Sequence, residues 1–446
     1  MGRSVNVITT ARETGERLTS RLASFHDAST PSGPSIVVDD NVRYQTIEGF
    51  GGAFTESAAT TLLKMSPARQ EEILAAYFGP SVGHGYTLCR THINSCDFSL
   101  GNYAYDETPG DVDLCDFTID RDRQVLLPMI HRAQRMSNNS FKLFASPWSP
   151  PAWMKTTGEM NRGGKLLDEY RQTWAKYFAR YIREYEREGV PIWGVTIQNE
   201  PEAVQSWDSC IYTADEERIF VREFLGPVLE AEGLGRVKII IWDHNRDELF
   251  LRAKGVLDDP LAAKYVWGVG FHWYVADKFD NIQLVHDAYP DFPLLLTEAC
   301  VEHGAHEGDW SSGEKYARSI IQDLNHWAVG WVDWNMLLDE KGGPNHVGNY
   351  CSAPIIADTT TDTVHYQSSY YYLGHFARYI RHGARRVLCS TNRDELEATA
   401  FVNVDGRHVV VALNRTDTVI EFDLWVGSRS TRTILPAHGI ATLTWE

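Results

Sequence analysis

Hydrophobic residues follow a repeated pattern from residue 47 to about residue 335, in which short apolar runs alternate with longer amphipathic stretches. The runs are predicted strands, because they are short, rich in β-branched and aromatic residues, and bounded by turn residues. The clearest predicted helix, Leu167–Glu188, repeats aromatic residues at spacings of three and four and is followed by Gly189. The eight predicted strands are Ile47–Phe54, Gly85–Ile93, Phe141–Trp148, Ile192–Asn199, Val237–Asp243, Gly268–Tyr274, Pro293–Ala299 and Ala328–Asn335.

Eight strand–helix units over roughly 250–330 residues are typical of a (β/α)8 barrel, also called a TIM barrel. A doubly wound parallel sheet is the alternative α/β arrangement, and it usually carries a glycine-rich turn after its first strand. The run Gly49-Phe50-Gly51-Gly52 is not the G-x-G-x-x-G pattern of such a turn. The pattern therefore favours the barrel.

Both ends of the chain depart from this alternation. Val5–Thr9 and Ser35–Val38 are strand-like, and the last 63 residues are predicted to be all β, with Asp405-Gly406 as a hairpin turn between two apolar runs. The predicted fold is an α/β TIM barrel over residues 47–383 with an appended β-sandwich domain. Residues 1–46 and 384–446 are predicted to build that sandwich together.

Composition and charge exclude several classes of function. Of the 446 residues, 42 are Lys or Arg and 60 are Asp or Glu, so the formal net charge is −18. Such a surface repels nucleic acid and anionic membranes, and no basic patch offsets it. No run of about 18 apolar residues occurs, so no integral membrane association is expected. The 14 Trp, 20 Tyr and 18 Phe fit either a large aromatic core or a sugar-binding cleft.

Cysteine usage and the N-terminus bear on the cellular compartment. The seven cysteines are scattered and form no C-x-x-C motif, which argues against a zinc site or a disulfide framework. The first residues contain no apolar segment of the kind found in signal peptides. We expect a cytoplasmic protein, or a secreted one if a signal has been trimmed. The sequence gives no indication of the oligomeric state.

Two predicted strands end in a glutamate. The fourth ends in Asn199-Glu200-Pro201 and the seventh in Thr297-Glu298-Ala299. The C-terminal ends of barrel strands all open on one face, where barrel enzymes hold their catalytic residues. One such glutamate is more often structural, but two on the same face are what glycoside hydrolysis needs: one donates a proton, and the other attacks the anomeric carbon or activates water.

At this point the chain resembles glycoside hydrolase family 30, in its glucosylceramidase (acid β-glucosidase) branch, from about residue 47 to the C-terminus. The resemblance rests on eight blocks of sequence: Gly49-Phe50-Gly51-Gly52-Ala53, Ser95-Cys96-Asp97-Phe98-Ser99, Ala145-Ser146-Pro147-Trp148, Asn199-Glu200-Pro201, His272-Trp273-Tyr274, Glu298-Ala299-Cys300, Gly330-Trp331-Val332-Asp333-Trp334-Asn335 and Gly342-Gly343-Pro344-Asn345.

The resemblance implies a retaining enzyme in which Glu200 is the general acid/base and Glu298 the nucleophile. In those roles Glu298 has to be ionised, whereas Glu200 has to hold a proton near neutral pH. We expect Arg90, on the second strand, to supply positive charge beside Glu298. Tyr274 resembles the tyrosine that donates a hydrogen bond to the nucleophile.

The resemblance also implies a set of sugar-binding residues. Asn199 resembles the residue that bonds the sugar 2-hydroxyl, and Asp97 the carboxylate that grips the distal hydroxyls. Trp148 and Trp334 resemble the tryptophans that wall the subsite for the terminal sugar. The remaining two carried-over positions are Asn349, as a hydroxyl donor and acceptor, and His272, as a support for the catalytic residues.

The substrate implied is a small or oligomeric β-glycoside, with a terminal β-D-glucosyl unit as the first expectation. A β-xyloside, a β-fucoside or a β-1,6-glucan are alternatives on the same scaffold. Two other classes stay open: a non-catalytic carbohydrate-binding barrel, and a metal-dependent barrel hydrolase using Glu302, His303, His306 and Glu307. The resemblance implies neither a metal nor another cofactor.

Overall fold

The fold is seen in a computed structural model, which describes residues 4–28 and 33–446. Four strands precede the barrel: β1 (Ser4–Thr10), β2 (Thr19–Ser24), β3 (His26–Asp27) and β4 (Ser35–Thr46). The predicted N-terminal strand pieces fall in β1 and β4. β4 is much longer than its apolar segment, because it continues through the polar residues from Asp39 onward while pairing with a C-terminal strand.

Eight parallel strands form a closed barrel, as predicted. They are β5 (Gly49–Phe54), β6 (Leu88–Ile93), β7 (Lys142–Pro147), β8 (Ile192–Thr196), β9 (Lys238–Asn245), β10 (Val266–His272), β11 (Leu294–Glu298) and β12 (Ala328–Asn335). Apolar side chains from five of these strands fill the barrel interior: Leu88, Phe144, Ile240, Leu295 and Val332.

The glycines of β5 let the first two barrel strands approach each other closely. A Cβ placed on Gly51 would lie 1.7 Å from the carbonyl oxygen of Leu88 on β6. A Cβ on Gly49 would lie 2.3 Å from the hydroxyl of Thr87. The run Gly49–Gly52 is therefore a packing feature of the barrel and not a phosphate-binding turn.

Helices cover the outside of the barrel, and α5 corresponds to the helix predicted most clearly from the sequence. They are α1 (Glu56–Lys64), α2 (Pro67–Phe78), α3 (Asp120–Gln124), α4 (Leu126–Met136), α5 (Arg171–Arg187), α6 (Ala214–Ile219), α7 (Gly226–Ala231), α8 (Leu249–Leu257), α9 (Pro260–Ala263), α10 (Phe279–Ala288), α11 (Ser311–Asn325) and α12 (Ser368–Ala377). A π-helical segment, Phe220–Leu225, joins α6 to α7. None of the helices in the described part of the chain combines the length and apolarity that a membrane span requires.

A small sheet follows the barrel, and six further strands complete the second domain. The small sheet consists of β13 (Leu337–Asp339), β14 (Ile355–Asp358) and β15 (Thr363–Tyr366). The final strands are β16 (Arg385–Thr391), β17 (Leu396–Val402), β18 (His408–Asn414), β19 (Ile420–Val426), β20 (Arg429–Leu435) and β21 (Ile440–Trp445).

Strands from both ends of the chain build the β-sandwich. The strand order is β2-β1-β21-β18-β17-β16-β4-β19-β20-β3, and one core collects apolar side chains from both ends of this order, including Val7 and Leu424. Arg21 on β2 donates a hydrogen bond to Thr433 on β20, so the far strands face each other. Gln45 on β4 donates to the carbonyl oxygens of Leu324 and Ala328, which ties the sandwich to the barrel.

Candidate active site

A pocket of about 210 Å³ opens at the C-terminal ends of the barrel strands. Eight of the ten predicted site residues line it: Asp97, Trp148, Asn199, Glu200, Tyr274, Glu298, Trp334 and Asn349. The other two, Arg90 and His272, are fully buried directly beneath the pocket and contact the two glutamates. The structure therefore brings all ten residues together.

The two glutamates face each other across the pocket. Glu298 is the last residue of β11, and Glu200 lies just beyond β8 with a left-handed backbone (φ 47°). One carboxylate oxygen of Glu200, one of Glu298 and one ring nitrogen of His272 all lie within 4.8 Å of one another. The two carboxyl groups are therefore close enough to act on the same bond.

Glu298 accepts direct hydrogen bonds on both of its oxygens. Arg90 donates from Nη1 to Oε2, and the Tyr274 hydroxyl donates to Oε1 over 2.8 Å. Burial raises the pKa of Glu298, and the charges of His272 and Arg90 together with the Tyr274 hydrogen bond oppose that rise. The expected contacts of Arg90 and Tyr274 with Glu298 are thus present.

Glu200 faces His272 instead of a cationic arginine. Nδ1 of His272 lies 3.3 Å from its Oε1, and Nε2 of Gln205 donates to its Oε2 over 3.4 Å. Burial works against the charged form of Glu200, but the His272 hydrogen bond and the charges of His244 and His272 bring its pKa down to about 2. These contacts therefore favour the charged form of Glu200, and the proton expected on it is favoured on its neighbour His272 instead.

That neighbour is an imidazole between two carboxylates. Burial alone would lower the pKa of His272, but the charges of Glu298 and Asp243 and the hydrogen bonds with Asp243 and Glu200 raise it to about 9. These contacts favour the doubly protonated ring, in which the proton on Nδ1 faces Glu200. The proton is one hydrogen bond away from the carboxylate.

Asp243 contacts several residues beneath the pocket, and it is not among the site residues predicted from the sequence. Its Oδ2 accepts from Nη2 of Arg90 and the hydroxyl of Thr196, and its Oδ1 accepts from the hydroxyl of Thr297 and lies 2.9 Å from Nε2 of His272. Its side chain is fully buried, and the charge of Arg90 holds its pKa well below the usual range despite that burial. A signal was available, because the fifth predicted strand ends in this carboxylate just as the fourth and seventh end in Glu200 and Glu298.

Asp97 and Asn349 meet on one side of the pocket. Nδ2 of Asn349 donates to Oδ2 of Asp97 over 2.9 Å, and Nδ2 of Asn345 donates to the same oxygen over 3.3 Å. Burial raises the pKa of Asp97 to about 8, with the Asn349 hydrogen bond acting in the opposite direction. Burial therefore favours the neutral carboxyl group, which can both donate and accept a hydrogen bond.

Two tryptophans form an apolar wall beside these polar groups. The rings of Trp148 and Trp334 are stacked, with centroids 4.8 Å apart and an interplanar angle of 19°. The guanidinium group of Arg90 lies 4.8 Å from the centroid of the Trp148 ring. Nη2 of Arg90 also donates to Oδ1 of Asn199 over 2.9 Å, which fixes the orientation of that amide.

The pocket is also lined by residues that were not predicted from the sequence to bind sugar. Gln205, Trp207 and Glu302 lie on loops, where no strand periodicity predicts the direction of a side chain. His244 and Asn245 are the last two residues of β9. Cys300 and Cys351 lie near Tyr274. Among the described residues, the group of possible metal ligands that come close together is Glu200, His272 and Glu298. Glu302, His303, His306 and Glu307 do not form such a group.

Comparison with known proteins agrees with this geometry. Residues 47–380 match the glycosyl hydrolase family 30 TIM-barrel domain, and residues 383–443 match the β-sandwich domain of the same family. The chain is 36% identical to the lysosomal acid glucosylceramidase of Mus musculus, over 97% of this chain and 87% of that protein.

Solved structures extend the comparison to the whole fold. SrfJ from Salmonella typhimurium superposes with a TM-score of 0.96 at 39% identity, with 99% of each chain covered. The endo-β-1,6-glucanase BT3312 superposes with a TM-score of 0.91 at 28% identity, also with 99% of each chain covered. With its barrel, its sandwich and its paired glutamates, this chain belongs to glycoside hydrolase family 30 and is a glycoside hydrolase.

Proposed function

We propose that the protein is a retaining β-glycosidase that hydrolyses terminal β-D-glucosyl linkages by double displacement. The observation that carries the retaining mechanism is the approach of Glu200 and Glu298, whose nearest carboxylate oxygens lie within 4.8 Å of each other. Retaining enzymes hold their carboxyl groups about 5–5.5 Å apart, whereas inverting enzymes leave about 6.5–9.5 Å for a water molecule. A nearest-oxygen separation within 4.8 Å supports the shorter, retaining arrangement.

In the first step, Glu298 attacks the anomeric carbon while the bond to the leaving oxygen breaks and that oxygen takes a proton from Glu200. Arg90 and Tyr274 hold the attacking carboxylate in one orientation through its two oxygens. These fixed donors favour the charged form of Glu298 before attack. In the second step, Glu200 removes a proton from water, which attacks the glycosyl–Glu298 ester and releases the sugar.

His272 supplies the proton that Glu200 needs. As the leaving oxygen develops negative charge, transfer of the Nδ1 proton to Glu200 Oε1 moves one proton along the 3.3 Å contact and leaves a neutral imidazole. That imidazole keeps its Nε2 proton beside Asp243. After the second step, the proton that Glu200 has taken from water returns to Nδ1 of His272, which restores the starting state. In this scheme Glu200 is the acid that touches the substrate, and His272 and Asp243 position it.

The preference for a terminal glucosyl unit rests on the pocket and on the relatives. The pocket is compact, and Asp97 with Asn349 offers hydrogen-bond donors and acceptors to distal hydroxyls on one side. The stacked tryptophans offer an apolar wall to the sugar. The similarity to a lysosomal glucosylceramidase supports a β-glucosyl residue as the unit bound.

A second candidate is a β-1,6-glucan. The match to an endo-β-1,6-glucanase covers 99% of this chain, so the same scaffold is compatible with a glucan in place of a lipid aglycone. The loop residues Gln205, Trp207 and Glu302, which line the pocket, are placed to select between these leaving groups.

The proposal is tested by chemical rescue with 2,4-dinitrophenyl β-glucoside. Glu298→Gln is expected to abolish turnover. Glu200→Ala is expected to retain glycosylation by this activated substrate, and azide should restore turnover and give the β-glucosyl azide. Glu307→Gln, which removes a carboxylate on the loop after β11 that does not line the pocket, is the matched control and should keep its activity. An α-azide from Glu200→Ala, or equal rescue of both glutamate variants, would reverse the assignment.

The substrate is tested with a panel of aryl β-glucoside, β-xyloside and β-fucoside together with glucosylceramide and gentio-oligosaccharides. Fastest turnover of the glucoside and of glucosylceramide supports the first candidate, whereas internal cleavage of gentio-oligosaccharides supports the second. The same assays in EDTA address a metal-dependent mechanism. We expect unchanged rates, and a loss that a divalent ion restores would count against the proposal.

A further inference from the structure

A second cavity, of about 200 Å³, lies on the opposite side of the barrel from the paired glutamates. Its walls come from the loop before β6, the end of α4 and the hairpin between β17 and β18, together with the segment after α12. The first two of these precede barrel strands, so the cavity is at the N-terminal face. It lies where the barrel meets the sandwich.

Three arginines line this cavity: Arg378, Arg381 and Arg407. Asp405 is the carboxylate among the lining residues, so the lining carries a net formal charge of +2. Oδ1 of Asp405 accepts a hydrogen bond from the backbone N–H of Arg407 over 3.0 Å. In a chain with a net charge of −18, such a concentration of positive charge is a local feature and not a property of the whole surface.

Two of the three guanidinium groups have no carboxylate partner. Within the described part of the chain, neither Arg378 nor Arg381 forms an ion pair, and Arg407 reaches only Glu446, at 3.8 Å. Arg378 donates to the carbonyl oxygen of Ser81, and Arg381 donates to those of His84 and Ala377. Carbonyl oxygens satisfy some of the N–H groups but do not neutralise the charge.

The cavity wall is built around Arg381. A Cβ on Gly85 would lie 3.0 Å from Nη1 and 3.2 Å from Nη2 of Arg381, so the guanidinium packs closely against the chain at this glycine. Gly85 also has φ 61°, which favours glycine. Burial lowers the pKa of Arg381, and no acidic group opposes that effect. Charge held in this way is costly unless a counter-charge approaches it.

His84 adds a further donor at the same place. The ring is buried, stacks on Tyr370 with centroids 4.1 Å apart, and neither nitrogen has a well-formed hydrogen bond to a described residue. Burial lowers the pKa of His84 to about 3, so the neutral ring has one N–H to offer. Planar guanidinium groups that lack a carboxylate partner, together with a free N–H donor, form an arrangement that binds phosphate oxygens.

We propose that this cavity is a binding site for a small phosphate-bearing ligand, held by Arg378 and Arg381 with Arg407 at its rim. The cavity is about as large as the pocket at the glutamates, about 200 against 210 Å³, so a phosphomonoester of modest size fits as well as free phosphate. The site is separate from the glycosidase chemistry, and its existence does not depend on the substrate assigned there.

The test is equilibrium binding of inorganic phosphate and of glycerol 3-phosphate to the full chain by isothermal titration calorimetry at constant ionic strength set with chloride. We expect one saturable site per chain. Arg378→Gln and Arg381→Gln should each weaken binding at least tenfold, while aryl glucosidase activity is retained. Arg393→Gln is the matched control, because Arg393 is an exposed arginine on a turn outside the cavity and its guanidinium contacts the carbonyl oxygen of Asn392.

Each outcome decides the proposal. Tighter binding of the ester points to a phosphorylated metabolite, and equal or tighter binding of inorganic phosphate points to the free ion; both support the site. No saturable binding of either compound to the wild-type chain overturns it. So does binding that Arg378→Gln and Arg381→Gln leave unchanged. Because Arg381 also contacts the backbone, Arg378→Gln decides the matter if Arg381→Gln unfolds.

Discussion

Nε2 of His272 lies 2.9 Å from Oδ1 of Asp243, so a buried carboxylate that does not line the pocket holds the ring that faces Glu200. The same carboxylate accepts a hydrogen bond from Arg90, which in turn donates to Glu298. Asp243 is therefore a shared support for the surroundings of both glutamates. Substitution of Asp243 is expected to change the pKa of His272, and with it the pH dependence of the reaction, without removing a group that touches the substrate.

For Asp243→Asn we expect the alkaline limb of the pH profile of kcat/KM to move to lower pH. The Asp243 contact helps to raise the pKa of His272 to about 9, and an amide removes that negative charge. Loss of one hydrogen-bonded carboxylate shifts a neighbouring pKa by about 1–3 units. Kinetics measured from pH 5 to pH 10 test this.

The same variant changes the pH dependence of stability. Because the folded-state pKa of His272 is raised, its contribution to stability is fully present below its unfolded pKa of about 6.5 and is lost as pH rises through about 9. In Asp243→Asn the pKa of His272 should be lower, so its contribution to stability should be lost completely at a lower pH. Asp323→Asn is the control, since it removes a buried carboxylate that pairs with Arg246, which does not line the pocket. An equal shift of the alkaline limb of kcat/KM in Asp243→Asn and Asp323→Asn would contradict the role of Asp243.

For Tyr274→Phe we expect kcat/KM to fall by about 10²–10³-fold, the usual cost of one fixed donor at a reacting oxygen. The hydroxyl donates to Oε1 of Glu298 over 2.8 Å and lowers the pKa of that carboxyl, so its loss should move the acidic limb to higher pH. Tyr86→Phe removes a buried hydroxyl that has no hydrogen-bond partner among the described residues and serves as the control. An unchanged rate with an unmoved acidic limb would mean that Tyr274 acts only by packing.

For Arg90→Met we expect a loss of stability of about 3–5 kcal/mol, because the change leaves Asp243 and Glu298 buried without their cation. Combining it with Asp243→Asn should cost less than the sum of the two single changes, since one of the unpaired charges is then absent. Urea titrations of the two single variants and the double variant measure this coupling. Additive losses would show that the pair does not interact.

For Gly51→Ala we expect a loss of about 3 kcal/mol or more, at the upper end of overpacking effects. The new Cβ would lie 1.7 Å from the backbone oxygen of Leu88, and backbone in a closed barrel cannot move away as a flexible side chain would. Gly101→Ala, where a Cβ would meet nothing within 4 Å, should stay within about 0.5 kcal/mol of the wild type. Equal free energies of unfolding for the two variants would contradict this account of β5.

The barrel strands were predictable because each buried strand is a short apolar run, and the two glutamates because they follow such runs at the same barrel face. Strands β2 and β20 were not predicted, since β2 is mostly exposed and β20 alternates polar residues with few large apolar ones. Asp243 was missed because its position at a strand end does not reveal that its partners are Arg90 and His272. Trp207 and Glu302 line the pocket because of the conformation of their loops, which hydrophobic periodicity does not predict.

The pairing of β1 with β21 joins residues that are more than 400 positions apart, as in the contact between Asn6 and Thr444. During synthesis β1 leaves the ribosome long before β21 exists, so only its edge toward β2 can pair while the barrel is made, and its other edge stays open. Contacts of such separation close slowly. Fusion partners or deletions at either end of the chain should therefore reduce the yield of folded protein by exposing an apolar strand edge, even where the pocket is left unaltered.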